Sequence, residues 1–208
     1  MTRIKICGLT RPQDVDRAVE LGADCIGFVL AESSRQVDLP TLAALTGRIP
    51  PPIARIAVMV DPSPAEVQKA LQLVDWVQLH GGESPEFCGR FPGRLLKAFR
   101  VRQPEDLEVD HYAEVVSAYL FDAYHPRLAG GTGERFNWEW LQGRKFARRF
   151  FLSGGLTPAN VGQAIEEVCP WGVDVSSGVE SDRGIKDPGF MADFIRQARL
   201  AAGFSPRT

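Results

Sequence analysis

Cys7 stands where a short β-branched run, Ile4 to Ile6, gives way to Gly8 in "KICGLT". A thiol at the junction of strand and loop is placed either to do chemistry or to plug a core. Side chains alternate along a strand, so Lys5 and Cys7 share one face, Gln78 and His80 another, and Asp174 and Ser176 a third. Asp122 ends the apolar run "AYLFD", and Lys97 lies inside "LLKAF". If the intervening apolar residues face covering helices, all these polar groups point inward together. Polar side chains at the carboxyl ends of several strands are what an active site on a barrel rim requires. A satisfied polar cluster in the barrel mouth is the other reading, and these residues alone leave both open.

Two later segments carry anion-binding signals. "SGGLTPAN" (Ser153–Asn160) runs from strand through a glycine turn into a helix, and "VDVSSGVES" (Val173–Ser181) has small residues that let backbone approach a ligand. Amides of such turns, aided by a helix N-terminus, bind phosphate. A third glycine loop, "AGGTGERF" (Ala129–Phe136), follows Asp122; it lacks the Gly-Lys-Ser/Thr ending of a P-loop and is either a closing loop or a plain connection. His80, His111 and His125 have no helical pairing and the four cysteines are dispersed, which speaks against a metal site.

The elements that must position these groups alternate. Eight apolar runs, "IKIC", "CIGFVL", "IARIAVMV", "WVQL", "LLKAF", "AYLFD", "FFLS" and "GVDVS", have the near-continuous hydrophobicity of strands covered on both faces. Between them, "SPAE", "SPEF", "TPAN" and "DPGF" put a polar cap before a proline at the first helical position. Ser63 and Glu66 add a capping box. Apolar residues at Val161, Ala164, Ile165 and Val168, and at Met191, Phe194, Ile195 and Ala198, repeat at helical spacing. A first helix is expected from about Pro12 to Gly22, and weaker ones near 104–113 and 137–142. Eight β/α units predict an α/β fold, a single closed (β/α)₈ TIM barrel over residues 1–208, with a tail frayed from about 203. The alternative is a doubly wound open sheet. In the barrel, the two anion-binding segments fall after strands seven and eight, where such folds hold phosphate.

Bulk properties narrow the partners. The chain has 208 residues, a formal net charge of −2 and scattered basic residues, which speaks against nucleic acid or an anionic membrane as partner. Four distant cysteines without a C-x-x-C pair argue against a disulfide framework, and no apolar run approaches a membrane span or signal peptide. A reduced, cytoplasmic protein is expected. Cys25, Cys88 and Cys169 read as small apolar fillers.

Taken in order, "KICGLT", "GADCIGFVL" with "SSRQV", "VQLHG", "LFDA", "GGTGERFNW", "LSGGLTPANV" and "VDVSSGVES" resemble the phosphoribosylanthranilate isomerases of tryptophan biosynthesis over nearly the whole chain. That resemblance implies a cofactor-free Amadori rearrangement of N-(5-phosphoribosyl)anthranilate. It implies Cys7 as general base, Asp122 as general acid, Arg35 against the anthranilate carboxylate, and Gly154, Gly155, Ser177 and Gly178 around the phosphate. His80 and Asp174 are expected to line the substrate pocket. Members occur as monomers and as homodimers. Two departures stand out: Glu134 replaces a lysine often found there, and "SSRQV" lacks the proline often found before the arginine.

The acid must start protonated and the base deprotonated. Reference pKa values of about 3.9 for Asp and 8.5 for Cys favour the reverse, an inversion worth roughly 6 kcal/mol, so the site must push both groups. Lys5, on the face of Cys7, is one candidate to lower the thiol; a structural pair with a carboxylate such as Asp174 is its other reading. Rival functions are the histidine-pathway aminoaldose isomerase barrel, expected to use two aspartates, and a non-catalytic sugar-phosphate binding barrel.

Overall fold

In the computed structural model, which describes residues 1–123 and 137–204, each of the eight apolar runs forms a strand. They are β1 (Arg3–Cys7), β2 (Cys25–Val29), β3 (Ala54–Met59), β4 (Trp76–Leu79), β5 (Leu95–Val101), β6 (Ala118–Ala123), β7 (Phe150–Leu152) and β8 (Gly172–Val175). Neighbours pair in parallel and β1 closes onto β8, so the sheet is a closed barrel rather than an open one. A short hairpin, β9 (Glu180–Asp182) with β10 (Ile185–Lys186), follows β8.

The helices among the described residues are α1 (Pro12–Glu20), α2 (Leu39–Thr46), α3 (Pro64–Ala70), α4 (Pro85–Cys88), α5 (Val161–Val168) and α6 (Pro188–Phe204). The capping box before α3 forms as expected, with Ser63 N donating to Glu66 Oε2 at 2.7 Å and Glu66 N to Ser63 Oγ at 3.4 Å. Two expectations shift. The segments near 104–113 and 137–142 make only single 3₁₀ turns, at Pro104–Leu107, Asp110–Tyr112 and Trp138–Trp140. They are too short, with too few apolar positions, to repay helix nucleation. "TPAN" does not open α5, which starts a turn later at Val161. The Asn160 side chain accepts from Thr157 N at 2.8 Å and donates to Gly155 O at 2.9 Å, holding those residues as a turn. At the other end α6 continues through Gly203 and Phe204, and the rest of the expected tail lies outside the described residues.

Strand alternation sorts the core into two sets. Ile4, Ile6, Phe28, Val77, Tyr119 and Phe121 face the helices, whereas Cys25, Ile56, Leu96, Ala98, Leu120 and Phe151 fill the barrel. Lys97 lies between Leu96 and Ala98 and therefore points out of the barrel, contrary to the inward placement expected for it. Its ammonium reaches Glu83 at 3.0 Å and the Gly81 carbonyl at 2.8 Å, over the Phe99 ring. Cys25 and Cys88 are buried fillers, but Cys169 is exposed: it caps α5 in the left-handed conformation, φ +50°.

The Lys97–Glu83 pair is almost wholly buried, so replacing Lys97 with Met leaves a carboxylate without its cation. Such losses cost about 3–5 kcal/mol. Glu83 keeps its bonds from Asp61 N and Gly81 N, so the expected cost lies at the low end, near 3 kcal/mol, read from urea unfolding of Lys97→Met against wild type.

Candidate active site

The inward face of β1 carries Lys5 and, two residues nearer the rim, Cys7. Lys5 is fully enclosed, and its Nζ donates to Asp174 Oδ1 on β8 and to Gln78 Oε1 on β4, both at 2.9 Å. The second oxygen of Asp174 accepts from Ser153 Oγ at 3.1 Å. Both Asp174 oxygens are thus engaged from inside the barrel, and the structural pairing weighed for Lys5 is realised. Cys7 is 7% exposed. Its neighbour in register on β2 is Gly27, where a Cβ would stand 2.7 Å from Cys7 Sγ and 3.2 Å from Lys5 Cε. The glycine leaves the room that both side chains occupy.

Burial pushes the Cys7 thiol above its ordinary value; Lys5 pulls it down, Asp174 pushes it up again, and Lys186 pulls it down more weakly. Burial also opposes charge on Lys5, but Asp174 and the Cys7 thiolate together outweigh it, and the ammonium is held above its usual range. Lys5 is thus paired with Asp174, its pull on the thiol is outweighed by burial, and the lowered thiol expected from the sequence is not found. Cys25, one strand away, is pushed up to about 12 by burial and stays a neutral filler at neutral pH.

Across the barrel mouth, Gln78 Nε2 lies 3.3 Å from His80 Nδ1, and His80 Nε2 lies 3.3 Å from Asp122 Oδ2. The second contact lacks hydrogen-bond alignment, leaving His80 Nε2 buried without a hydrogen-bond partner. A continuous run of polar contacts crosses from Asp174 through Lys5, Gln78 and His80 to Asp122. The sequence-predicted residues of β1, β4, β6 and β8 are brought together.

Arg35, beyond β2, bonds Glu180 through two parallel contacts of 2.7 Å from Nε and Nη2. Lys186 Nζ reaches the same carboxylate at 2.8 Å and the Ser176 carbonyl at 3.0 Å. Burial would raise the Glu180 carboxyl, but Arg35 and Lys186 hold it below its ordinary value. Gly8 has φ +74°, and a Cβ there would meet Arg35 Cδ at 2.6 Å, so only glycine lets the arginine cross the first loop. The glycines after β7, Gly154 and Gly155, also have positive φ, at +83° and +67°. Ser177 and Gly178 follow β8 in a 3₁₀ turn, where a Cβ on Gly178 would stand 1.9 Å from the Leu156 carbonyl oxygen. The two glycine loops are therefore packed backbone to backbone.

Sequence reading missed Gly27, Ser153, Glu180 and Lys186. Gly27 meets Cys7 across two strands, Ser153 meets Asp174 21 positions on, and Glu180 meets Arg35 145 positions away; Lys186 is joined to Glu180 only through the short hairpin after β8. The loop 129–136, with Glu134, and His125 lie outside the described residues. Among the described residues no group of three or more His, Cys, Asp or Glu side chains is arranged to hold a metal ion.

The family model for N-(5'-phosphoribosyl)anthranilate isomerase matches residues 4–197. The chain belongs to that family. Its activity class is accordingly that of an aldose–ketose isomerase of tryptophan biosynthesis. The N-(5'-phosphoribosyl)anthranilate isomerase of Chromohalobacter salexigens is 45% identical over 199 residues, covering 94% of this chain and 93% of the relative. Among solved structures, the phosphoribosyl anthranilate isomerase of Thermotoga maritima superposes with a TM-score of 0.89 at 36% identity, over 96% of this chain and all of the other. A phosphoribosyl anthranilate isomerase in complex with reduced 1-(o-carboxyphenylamino)-1-deoxyribulose 5-phosphate gives a TM-score of 0.81 at 34% identity, over 96% and 100% of the two chains.

Gly27 gives a direct test of the space around the thiol. Gly27→Ala forces Cys7 or Lys5 to move, and a misplacement near 1 Å costs about 10²-fold in rate. A drop of that size in kcat, with the melting temperature within a few degrees of wild type, is the expected result of steady-state assay and thermal unfolding.

Proposed function

We propose that this chain converts N-(5-phosphoribosyl)anthranilate to 1-(2-carboxyphenylamino)-1-deoxyribulose 5-phosphate, with Cys7 as general base and Asp122 as general acid. The observation that carries this is the placement of Cys7 on β1 and Asp122 on β6, both on the inner face at the carboxyl ends of their strands. Asp122 gives its proton to the furanose ring oxygen; the C1–O bond breaks and an iminium forms. The Cys7 thiolate then removes the proton from C2 of the sugar. The electron pair passes to the iminium nitrogen, and the resulting enolamine tautomerises to the ketose. Only protons move between protein and substrate, so the steps call on no cofactor.

The rest of the site binds. Backbone amides of Gly154, Gly155, Ser177 and Gly178 face the phosphate, as the amides of such glycine turns do. Arg35 takes the anthranilate carboxylate; Glu180 occupies its Nε and Nη2, fixes the guanidinium plane and leaves Nη1 outside the pair. Asp174 acts through Lys5 rather than by touching the sugar. Every residue named comes from one chain, an arrangement compatible with a monomer or a homodimer. We place the enzyme in the cytoplasm; no helix of the described residues is long and apolar enough to cross a membrane.

The test is loss of anthranilate-type fluorescence on mixing enzyme with freshly generated substrate. Cys7→Ser and Asp122→Asn should each lose about 10²–10⁴-fold in kcat with KM changed only a few-fold, since both shapes are kept and only proton transfer is lost. Near wild-type turnover in either variant overturns its assignment. No turnover in wild type leaves a sugar-phosphate binding barrel.

The balance of charges around the thiol sets the acid side of the rate profile. Lys5→Met combined with Asp174→Asn removes both members of the pair, so no carboxylate is left buried alone. Lys5 lowers the thiol more than Asp174 raises it, so losing both moves the thiol upward. A base must be ionised, and the rising limb of kcat/KM against pH should therefore shift to higher pH. An unmoved limb would make Lys5 a purely structural lysine.

A further inference from the structure

The reading above leaves Gln78 and His80 without a role, yet they bridge the two reacting side chains. Gln78 is buried and touches Lys5 on one side and His80 on the other. An ammonium can only donate, so the Gln78 atom 2.9 Å from Lys5 Nζ must be its oxygen. That orientation turns the amide NH₂ toward His80 Nδ1 at 3.3 Å. An NH₂ can only donate, so Nδ1 must accept, and the single imidazole proton sits on Nε2. Nε2 is the buried atom without a hydrogen-bond partner, 3.3 Å from Asp122 Oδ2.

We propose that Gln78 is a positioning residue that locks His80 as the neutral Nε2–H tautomer beside the catalytic acid. The lock does two things. A protonated Nε2 has no lone pair to offer, so the imidazole cannot compete with the substrate ring oxygen for the Asp122 proton. Once Asp122 has given up its proton, the waiting Nε2–H donates to the new carboxylate. No atom is transferred to or from His80.

Other charges face this group. Lys5 and Asp174 lie behind Gln78 on β1 and β8. Arg100 on β5 is the register partner of Asp122 and is exposed at the rim. From β3, Ile56 and Val58 are apolar and Asp61 lies past the strand end, bonded to Gly82 N.

The test reads the tautomer directly. In the full chain with ¹⁵N-labelled histidine, the His80 signals are those lost in His80→Asn. In the neutral imidazole of the wild type, Nδ1 should be unprotonated and Nε2 protonated. Gln78→Glu keeps the shape but turns an acceptor toward both Lys5 and Nδ1, so Nδ1 should become protonated. Turnover should fall by about 10²-fold in kcat, the low end of what general acid catalysis supplies, with KM changed less than about twofold. A role confined to packing would leave the nitrogen signals and kcat of this isosteric variant in place, and that result overturns the proposal. So does a wild-type His80 carrying its proton on Nδ1, a readout that needs no variant of Gln78 to fold. The proposal rests on Asp122 being the acid. If Asp122→Asn keeps its turnover, that assignment fails, whereas the nitrogen signals report the lock separately.

Discussion

A buried ion pair in the upper barrel organises everything around it. Lys5 and Asp174 sit on adjacent strands where most barrels carry branched aliphatics. Taking two charges out of water costs several kcal/mol per ion unless geometry and further hydrogen bonds offset it. Here Gln78 serves the remaining reach of the ammonium and Ser153 the second carboxylate oxygen. The pair also needs space, which Gly27 and Cys25 leave beside the lysine stem. Once satisfied, it fixes the floor on which Cys7 stands and the direction in which Gln78 turns. A salt bridge of this kind is weak evidence for stability, and its value here lies in fixing orientation.

The same economy of charge governs the rim. The protein carries a formal charge of −2, so no general field draws an anionic ligand in. Three positive groups near the mouth are instead held in local pairs, Arg35 and Lys186 sharing Glu180, Lys5 sharing Asp174. A pair fixes a guanidinium or ammonium in place and lowers its net charge. Recognition then depends on geometry, through amides and the planar guanidinium, more than on attraction at a distance.

The sequence made the barrel and its polar rim readable because both follow from period. Alternation along β1 and β4 put Lys5 with Cys7 and Gln78 with His80, and these side chains do meet; along β8 it put Asp174 on the inner face, where it meets Lys5. Lys97 failed because a polar residue inside an apolar run says nothing of which face it takes, and its partner Glu83 lies in the loop after the preceding strand, β4. The start of α5 failed because Asn160 bonds backward to Gly155 and Thr157, a turn that competes with the proline signal. Glu180 and Lys186 were illegible for another reason. Arg35 meets its carboxylate 145 positions away, and only closure of the barrel brings the second loop to the eighth.

Gly178 lies so close to the Leu156 carbonyl that the loops after β7 and β8 behave as a single piece of backbone. Neither can be lengthened, shortened or transplanted without the other, because any side chain at the contact would drive them apart. Descendants of this barrel that accept a different sugar phosphate are therefore expected to keep this half of the rim as an inherited block. Novelty is left to the rest of the rim, where Arg35 after β2 is held by side-chain bonds to Glu180 rather than by packed backbone. The anchor and the chemistry of such a barrel can then diverge at different speeds.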